Sequence, residues 1–356
     1  MSTDDTGRSP AGRATALDPP PNPTALTDSP AAPGLRRRRR TLTSPRVLPA
    51  LATFVLFVVM FGVGSARYDN FFSLQVLLNL LIDNAYLIVL AVGMTFVIIT
   101  GGIDLSVGSV VAFSGVLAAK LLSTGWGPVP VMLLVLALGA GLGLLMGLVI
   151  HHLELQPFVV TLAGMFLARG LCYVISVESI PIRDPLFTSI AQGTIPLPGD
   201  TYVGPPVLVA VVVVLVGAYL LHATRFGRTV YAIGGNQHSA VLMGLRVGRT
   251  KVAVYGISGL CSAISGLLFA FYSLSGYSLA ALGTELDAIA ATVIGGTLLS
   301  GGVGLIVGSL LGVLVLGLIQ TFISFEGTLS SWWTRIVIGI LLLVFVILQR
   351  LFVRRA

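Results

Sequence analysis

Long uncharged apolar runs return again and again along this chain, and nothing else constrains its fold as strongly. Residues 47–65 carry no charged side chain, and similar runs recur almost to the C-terminus. Runs of about 17 residues or more are long enough to cross about 30 Å of hydrocarbon as helix. They are continuous and show no period of two, which disfavours a membrane β-barrel. Of the 356 residues, 55% are hydrophobic and only 10% charged, with a mean hydropathy of +0.97. Soluble domains carry about 25% charged residues. The chain reads as an all-α polytopic membrane protein.

Residues 1–46 are rich in Pro and Ala, show no apolar period, and end near the run Arg36–Arg40. They are expected to form a disordered cytoplasmic tail. Beside a membrane helix, five arginines signal orientation or an anionic-lipid contact rather than a nucleic-acid patch. The net charge of +7 follows the same logic, so no nucleic-acid partner is expected. Spans are expected at 47–65, 84–100, 106–122, 128–150, 156–177, 205–222, 252–275, 286–299, 303–324 and 333–349. That is about ten transmembrane helices, some short or broken, in a membrane domain over 47–349. The segment Phe71–Ile82, interrupted by Gln75 and Asn79, reads as interfacial or re-entrant, and 178–204 as a polar loop with four prolines.

The basic residues orient these spans. Loop 223–251 holds Arg225, Arg228, Arg246, Arg249 and Lys251 with no acid, and the C-terminus 350–356 holds Arg350, Arg354 and Arg355. Both are expected in the cytoplasm. Ten crossings from a cytoplasmic N-terminus satisfy both conditions, which is why the short 286–299 segment is counted as one.

Gly101-Gly102-Ile103-Asp104-Leu105-Ser106-Val107-Gly108-Ser109 interrupts two apolar stretches with an acid, two serines and three glycines. Irregular backbone at membrane depth is tolerated only where protein or a water-lined path covers it. An aspartate there is a functional-site candidate, and the alternative is a tight turn at the membrane surface. The stretch 301–310 echoes it, beginning Gly301-Gly302-Val303-Gly304. Paired interruptions in two halves of a membrane protein point to a translocation site. Glu285 and Asp287 precede another short span; one could cap a helix, and together they suit an aqueous path. Asp83 and Asn84 read as helix caps. Arg169, well inside a span, would snorkel or pair with an acid. Gly304, Gly308 and Gly312, with Gly143 and Gly147, recur every four residues and suit close helix packing. Cys172 and Cys261 read as small buried hydrophobes, and the four histidines form no metal pattern.

No phosphate-binding G-x-x-x-x-G-K-[ST] loop exists in the chain, so any nucleotide would sit on another polypeptide. In loop 223–251, Asn236 can cap a short helix over Gln237–Leu245 with Ala240, Val241 and Gly244 on one side. It reads either as a docking element or as an ordinary amphipathic surface loop.

These motifs are specific enough to carry a family resemblance. GMTFVIITGGIDLSVGSVVAF (93–113), YAIGGNQHSAVLMG (231–244) and ELDAIAATVIGGTLLSGGVG (285–304) resemble the ribose-type sugar permeases of bacterial ABC importers. The similarity covers about 47–349. TLAGMFLARG (161–170), SVESIPI (176–182), ATRFGRTVYAIGG (223–235) and IQTFISFEGTLSSWWTRIVIGILL (319–342) look like the galactofuranose-importer permease within that group. The resemblance implies an ABC importer permease fold and a non-catalytic subunit of the inner membrane, with no cofactor of its own. ATP and Mg would be bound by a cytoplasmic ATPase subunit. Further partners would be a second, homologous permease and a periplasmic sugar-binding protein. Gly234, Gly235, Asn236, Ala240 and Gly244 would belong to the coupling helix that docks into the ATPase. Asp104, Ser106, Ser109, Glu285 and Asp287 would line the translocation path. Cargo alternatives are ribose, xylose or another small solute, and the alternative class is an ion-coupled secondary transporter.

Overall fold

The computed structural model describes residues 48–69, 71–327 and 332–355. The tail expected to be disordered lies outside them. Four helices open on a proline in their first turn, where its missing N–H costs nothing and its fixed φ suits the helix. They are α5 (Pro128–His152), α6 (Pro157–Ile175), α7 (Pro185–Gln192) and α8 (Pro205–Ala223). Their starts fall within a residue of expectation wherever a span was expected.

The centre of the protein is α3 (Ala85–Ile99), in which every residue but Tyr86 is buried. A helix apolar on all sides has no solvent-facing stripe and must be enclosed. Its walls are α8, α11 (Val247–Ser273), α12 (Thr284–Ile294) and α13 (Ile306–Glu326). It is preceded by α2 (Leu74–Asp83) at a bend of 62°. The segment expected to be re-entrant is therefore one limb of a broken helix pair. Around this core lie α1 (Leu48–Arg67), which packs on α13; α4 (Val107–Ser123), which packs on α6 and α11; and α14 (Trp332–Arg355).

Seven of the described helices are long and apolar enough to cross a membrane, or eight if the bent pair counts as one span. The expected count of ten is not confirmed. The difference lies in α4 and α12, which have 17 and 11 residues. At 1.5 Å per residue they are about 26 and 17 Å long, α4 at the lower limit for a continuous membrane helix and α12 below it. The C-terminal residues expected to follow the last span instead continue α14 as far as Arg355.

The segment expected as a loop at 178–204 contains α7 and three strands of two small antiparallel sheets. In one, β1 (Ile180–Pro181) pairs with β4 (Ser275–Gly276); in the other, β2 (Ile195–Leu197) pairs with β3 (Thr201–Val203). Gln75 of α2 clasps this hairpin, donating to the Tyr202 carbonyl at 3.2 Å and accepting from the Tyr202 amide at 2.9 Å.

Glycine faces set the closest helix contacts. A Cβ on Gly143 or Gly147 would strike the backbone of α11, and one on Gly308 or Gly312 would strike the backbone of α12. Gly304 belongs to the loop before α13 and not to that stripe. Among the described residues, Arg169 pairs with no acid. Its Nη1 donates to the carbonyls of Ser278 and Ala280 at 2.5 and 2.9 Å. Both cysteines are free and buried.

Candidate functional site

The basic loop folds into α9 (Arg225–Gly235) and α10 (Gln237–Leu242). Thr224 caps the first, accepting from the Gly227 amide at 3.2 Å, and Asn236 caps the second, accepting from the Ser239 amide at 2.9 Å. Each side-chain oxygen satisfies an orphan N–H of the first turn. Helix α10 ends at Leu242 rather than Leu245, with Gly244 at φ +74° just beyond. Ala240 does not share a face with Val241: it is buried against Ile233 and Val247. Val241, Leu242 and Met243 are 54, 75 and 66% exposed. Three adjacent exposed apolar side chains on an arginine-rich loop are the signal that sequence reading passed over.

Gly234 also faces inward. A Cβ there would run into the Ile99 carbonyl and the Gly302 amide, whereas at Gly235 it would meet open space. Ile99 and Gly302 are themselves bonded, the Gly302 amide donating to the Ile99 carbonyl at 2.9 Å. Tyr231 of α9 donates its hydroxyl to the Gly304 carbonyl at 2.6 Å. The two Gly-Gly breaks seen in the sequence are thus neighbours, and the end of α9 rests on both.

Asp104 is fully buried. Its Oδ1 accepts from the Ser106 amide at 3.0 Å and the Ser106 hydroxyl at 2.6 Å, and its Oδ2 accepts from the Ser258 hydroxyl at 2.7 Å. The carboxylate holds the break at the head of α4 and ties it to α11. Ser106 and Ser109 are buried as well, so all three residues sit in the packed interior of this structure.

Glu285 and Asp287 lie in the first turn of α12, where the helix dipole favours acids, but the N-cap is Gly283 and neither acid caps the helix. Two positions apart on a helix, they point to different sides. Glu285 rests over α4: a Cβ on Gly108 would strike its Oε2. Asp287 opens into a cavity of about 440 Å³, with Gln320, Ser324, Trp332, Thr334 and Arg335 among its lining residues. An adjoining cavity of about 460 Å³ shares Gln320 and Ser324 and is lined also by Asn79, Asp83, Tyr86 and Tyr272. Asn84 takes the N-cap position of α3 as expected, but its side chain makes no capping bond; its Nδ2 donates instead to the Leu80 carbonyl at 2.9 Å, and Asp83 ends α2.

The two regions lie at opposite ends of the molecule. Helices α1 and α13 run side by side in one direction. Ala50 meets Gly308 near their starts, and Arg67 pairs with Glu326 at 3.1 Å at their ends. Gln320 and Ser324 are roughly 20–27 Å along α13 from its start, where Gly304 receives Tyr231.

A helical membrane core with two joined helix breaks, a polar cavity at one end and an exposed apolar helix on a basic loop at the other defines a transport permease. Residues 76–346 match the family described as "branched-chain amino acid transport system / permease component", and the chain belongs to that family. Over 306 residues it is 49% identical to the inner membrane ABC transporter permease protein YjfF of Escherichia coli (strain K12), covering 86% of this chain and 92% of that protein. It is 43% identical to the fructose import permease protein FruG of Bifidobacterium longum over 86% of this chain and 91% of that one. Identity to the ribose import permease protein RbsC of Escherichia coli (strain K12) is 37%, over 83% and 92%. The resemblance to ribose-type sugar permeases drawn from the motifs is upheld, while none of these three relatives is named for galactofuranose. No solved structure gives a significant match.

Proposed function

We propose that this chain is the membrane permease subunit of an ATP-binding cassette importer for a monosaccharide, with galactofuranose as the cargo. The carrying observation is the exposed Val241–Leu242–Met243 tip, on a loop whose Gly234 sits against both helix breaks. A rigid-body push on α10 is delivered through α9 to the junction of α3, α4, α12 and α13, the step that an alternating-access cycle needs.

The permease performs no chemistry of its own. ATP and Mg belong to a cytoplasmic ATPase whose surface receives α10. A substrate-binding protein delivers sugar to the opposite end, and a second permease completes the membrane unit. The arginine-rich α9–α11 end faces the cytoplasm, as do both termini, by the positive-inside rule. The relatives named for ribose and fructose import support sugar as cargo, and the stretches 161–170 and 319–342 support galactofuranose within that class.

Uptake into proteoliposomes tests the reading. The chain, its ATPase, partner permease and binding protein should import labelled galactofuranose only with ATP inside or outside on the ATPase face. Import that survives ATP omission and collapses with an uncoupler would replace it with an ion-coupled mechanism.

A further inference from the structure

The cavity beside α13 is lined by polar side chains that make few hydrogen bonds among the described residues. Among the described residues, neither the Asp287 carboxylate nor the Gln320 side-chain amide makes a hydrogen bond. Arg335 donates one long bond, from Nη2 to the Leu282 carbonyl at 3.4 Å, and its guanidinium lies 5.9 Å from the centroid of the Trp332 ring. Asp287 and Arg335 line the same cavity, yet the ion pair found among the described residues is Arg67–Glu326, elsewhere. A carboxylate and a guanidinium that share a cavity without closing on each other leave room between them. Ligand groups able both to donate and to accept can fill it.

Hydroxyl groups on adjacent ring carbons have that dual character. A carboxylate accepts from them, a guanidinium donates to two at once, and an amide does both. An anionic ligand would leave Asp287 repelled, and a cationic one would leave Arg335 repelled. A ligand of zero net charge avoids both penalties, and the sugar-import relatives favour a neutral polyol over a zwitterion. Trp332 adds the broad apolar face that matches the C–H side of a sugar ring. The volume, about 440 Å³, falls within the range of about 300–1,000 Å³ usual for small-molecule sites.

We infer that this cavity is a monosaccharide subsite built into the permease, with Asp287, Gln320 and Arg335 hydrogen-bonding the ring hydroxyls and Trp332 packing on the C–H face. The inference rests on the sugar reading above. It adds a step at which the permease itself checks the cargo after the binding protein has released it.

The test is the number of sugars delivered per ATP hydrolysed, measured on the complete transporter in proteoliposomes with galactofuranose, ribose and fructose as probes. Without its subsite the permease should cycle without cargo. Asp287→Asn and Gln320→Leu should therefore lower sugar delivered per ATP by about tenfold for whichever probe the wild type imports. Trp332→Phe, which keeps a ring, should retain most of the ratio that Trp332→Ala loses. Uptake and ATP hydrolysis falling in proportion, or a ratio that stays at the wild-type value, would overturn the subsite while leaving the sugar reading standing. A wild type that imports none of the probes would overturn the sugar reading and the ligand class of the subsite with it.

Discussion

The Gly302 amide donates to the Ile99 carbonyl across 2.9 Å, so one backbone bond joins the two helix breaks of this permease. Freed backbone groups at membrane depth need partners, and here each break supplies one to the other. Gly302 adopts φ +77°, in the left-handed region where a side chain would be strained. The last turn of α9 closes the junction from outside, because Gly234 brings its backbone against both residues.

Gly234→Ala should therefore be damaging and Gly235→Ala nearly silent. The methyl at 234 would collide with backbone, which cannot rotate away; overpacking of this kind costs about 1–3 kcal/mol. Thermal unfolding of the purified chain should show a lowered transition for the first substitution alone. ATP-driven uptake should fall with it. Equal behaviour of the two variants would mean that the junction does not depend on close approach at 234.

Asp104 acts as a structural clamp in the same region, and its variants should separate stability from selectivity. Ser258→Ala removes one of three donors to a fully buried carboxylate, a loss of about 1.5–3 kcal/mol for a charge-assisted bond. Denaturant titration should record that loss. The relative uptake of different monosaccharides should not change, since nothing at Asp104 is open to a ligand. A shift in sugar preference on Ser258→Ala would return Asp104 to the translocation path.

Much of this arrangement is legible in the sequence, and the exceptions have physical reasons. Proline at the first turn fixes where α5, α6 and α8 begin. The repeated Gly-Gly signature marks both breaks, because a close backbone junction excludes side chains. Helix α12 is misjudged from sequence, since Leu298 and Leu299 prolong the apolar run beyond Gly295 and Gly296, where the helix ends. Helix α11 begins at Val247, five residues before the expected span, because a basic helical turn outside the hydrocarbon reads as loop on a hydropathy scale. The cavity is invisible in sequence. Asp287, Gln320 and Arg335 come from three helices, and only packing brings them together.

The exposed tip of α10 predicts a sharp contrast with the residue behind it. Leu242→Glu places a charge on a surface side chain, so insertion and folding should be unaffected while the ATPase no longer co-purifies. Ala240→Glu forces a carboxylate between Ile233 and Val247, a burial that costs several kcal/mol without a partner, and the loop itself should unfold. Limited proteolysis should cut the loop in the second variant and not in the first. Retention of the ATPase by a folded Leu242→Glu chain would remove α10 from the docking surface.

Orientation is the last expectation, and the protein is well suited to measuring it. Both native cysteines are buried, Cys172 with its thiol donating to the Ala168 carbonyl at 3.2 Å, so background labelling should be slight. Single cysteines at Asp200, in the β2–β3 turn, and at Met243, on the α10 tip, sample exposed sites on either side of the membrane domain. In intact cells stripped of any outer barrier, a membrane-impermeant maleimide should label Asp200→Cys at once. It should label Met243→Cys only after permeabilisation. The reverse pattern would place the arginine-rich end outside, where no cytoplasmic ATPase could reach it, and would overturn the coupling assignment along with the topology.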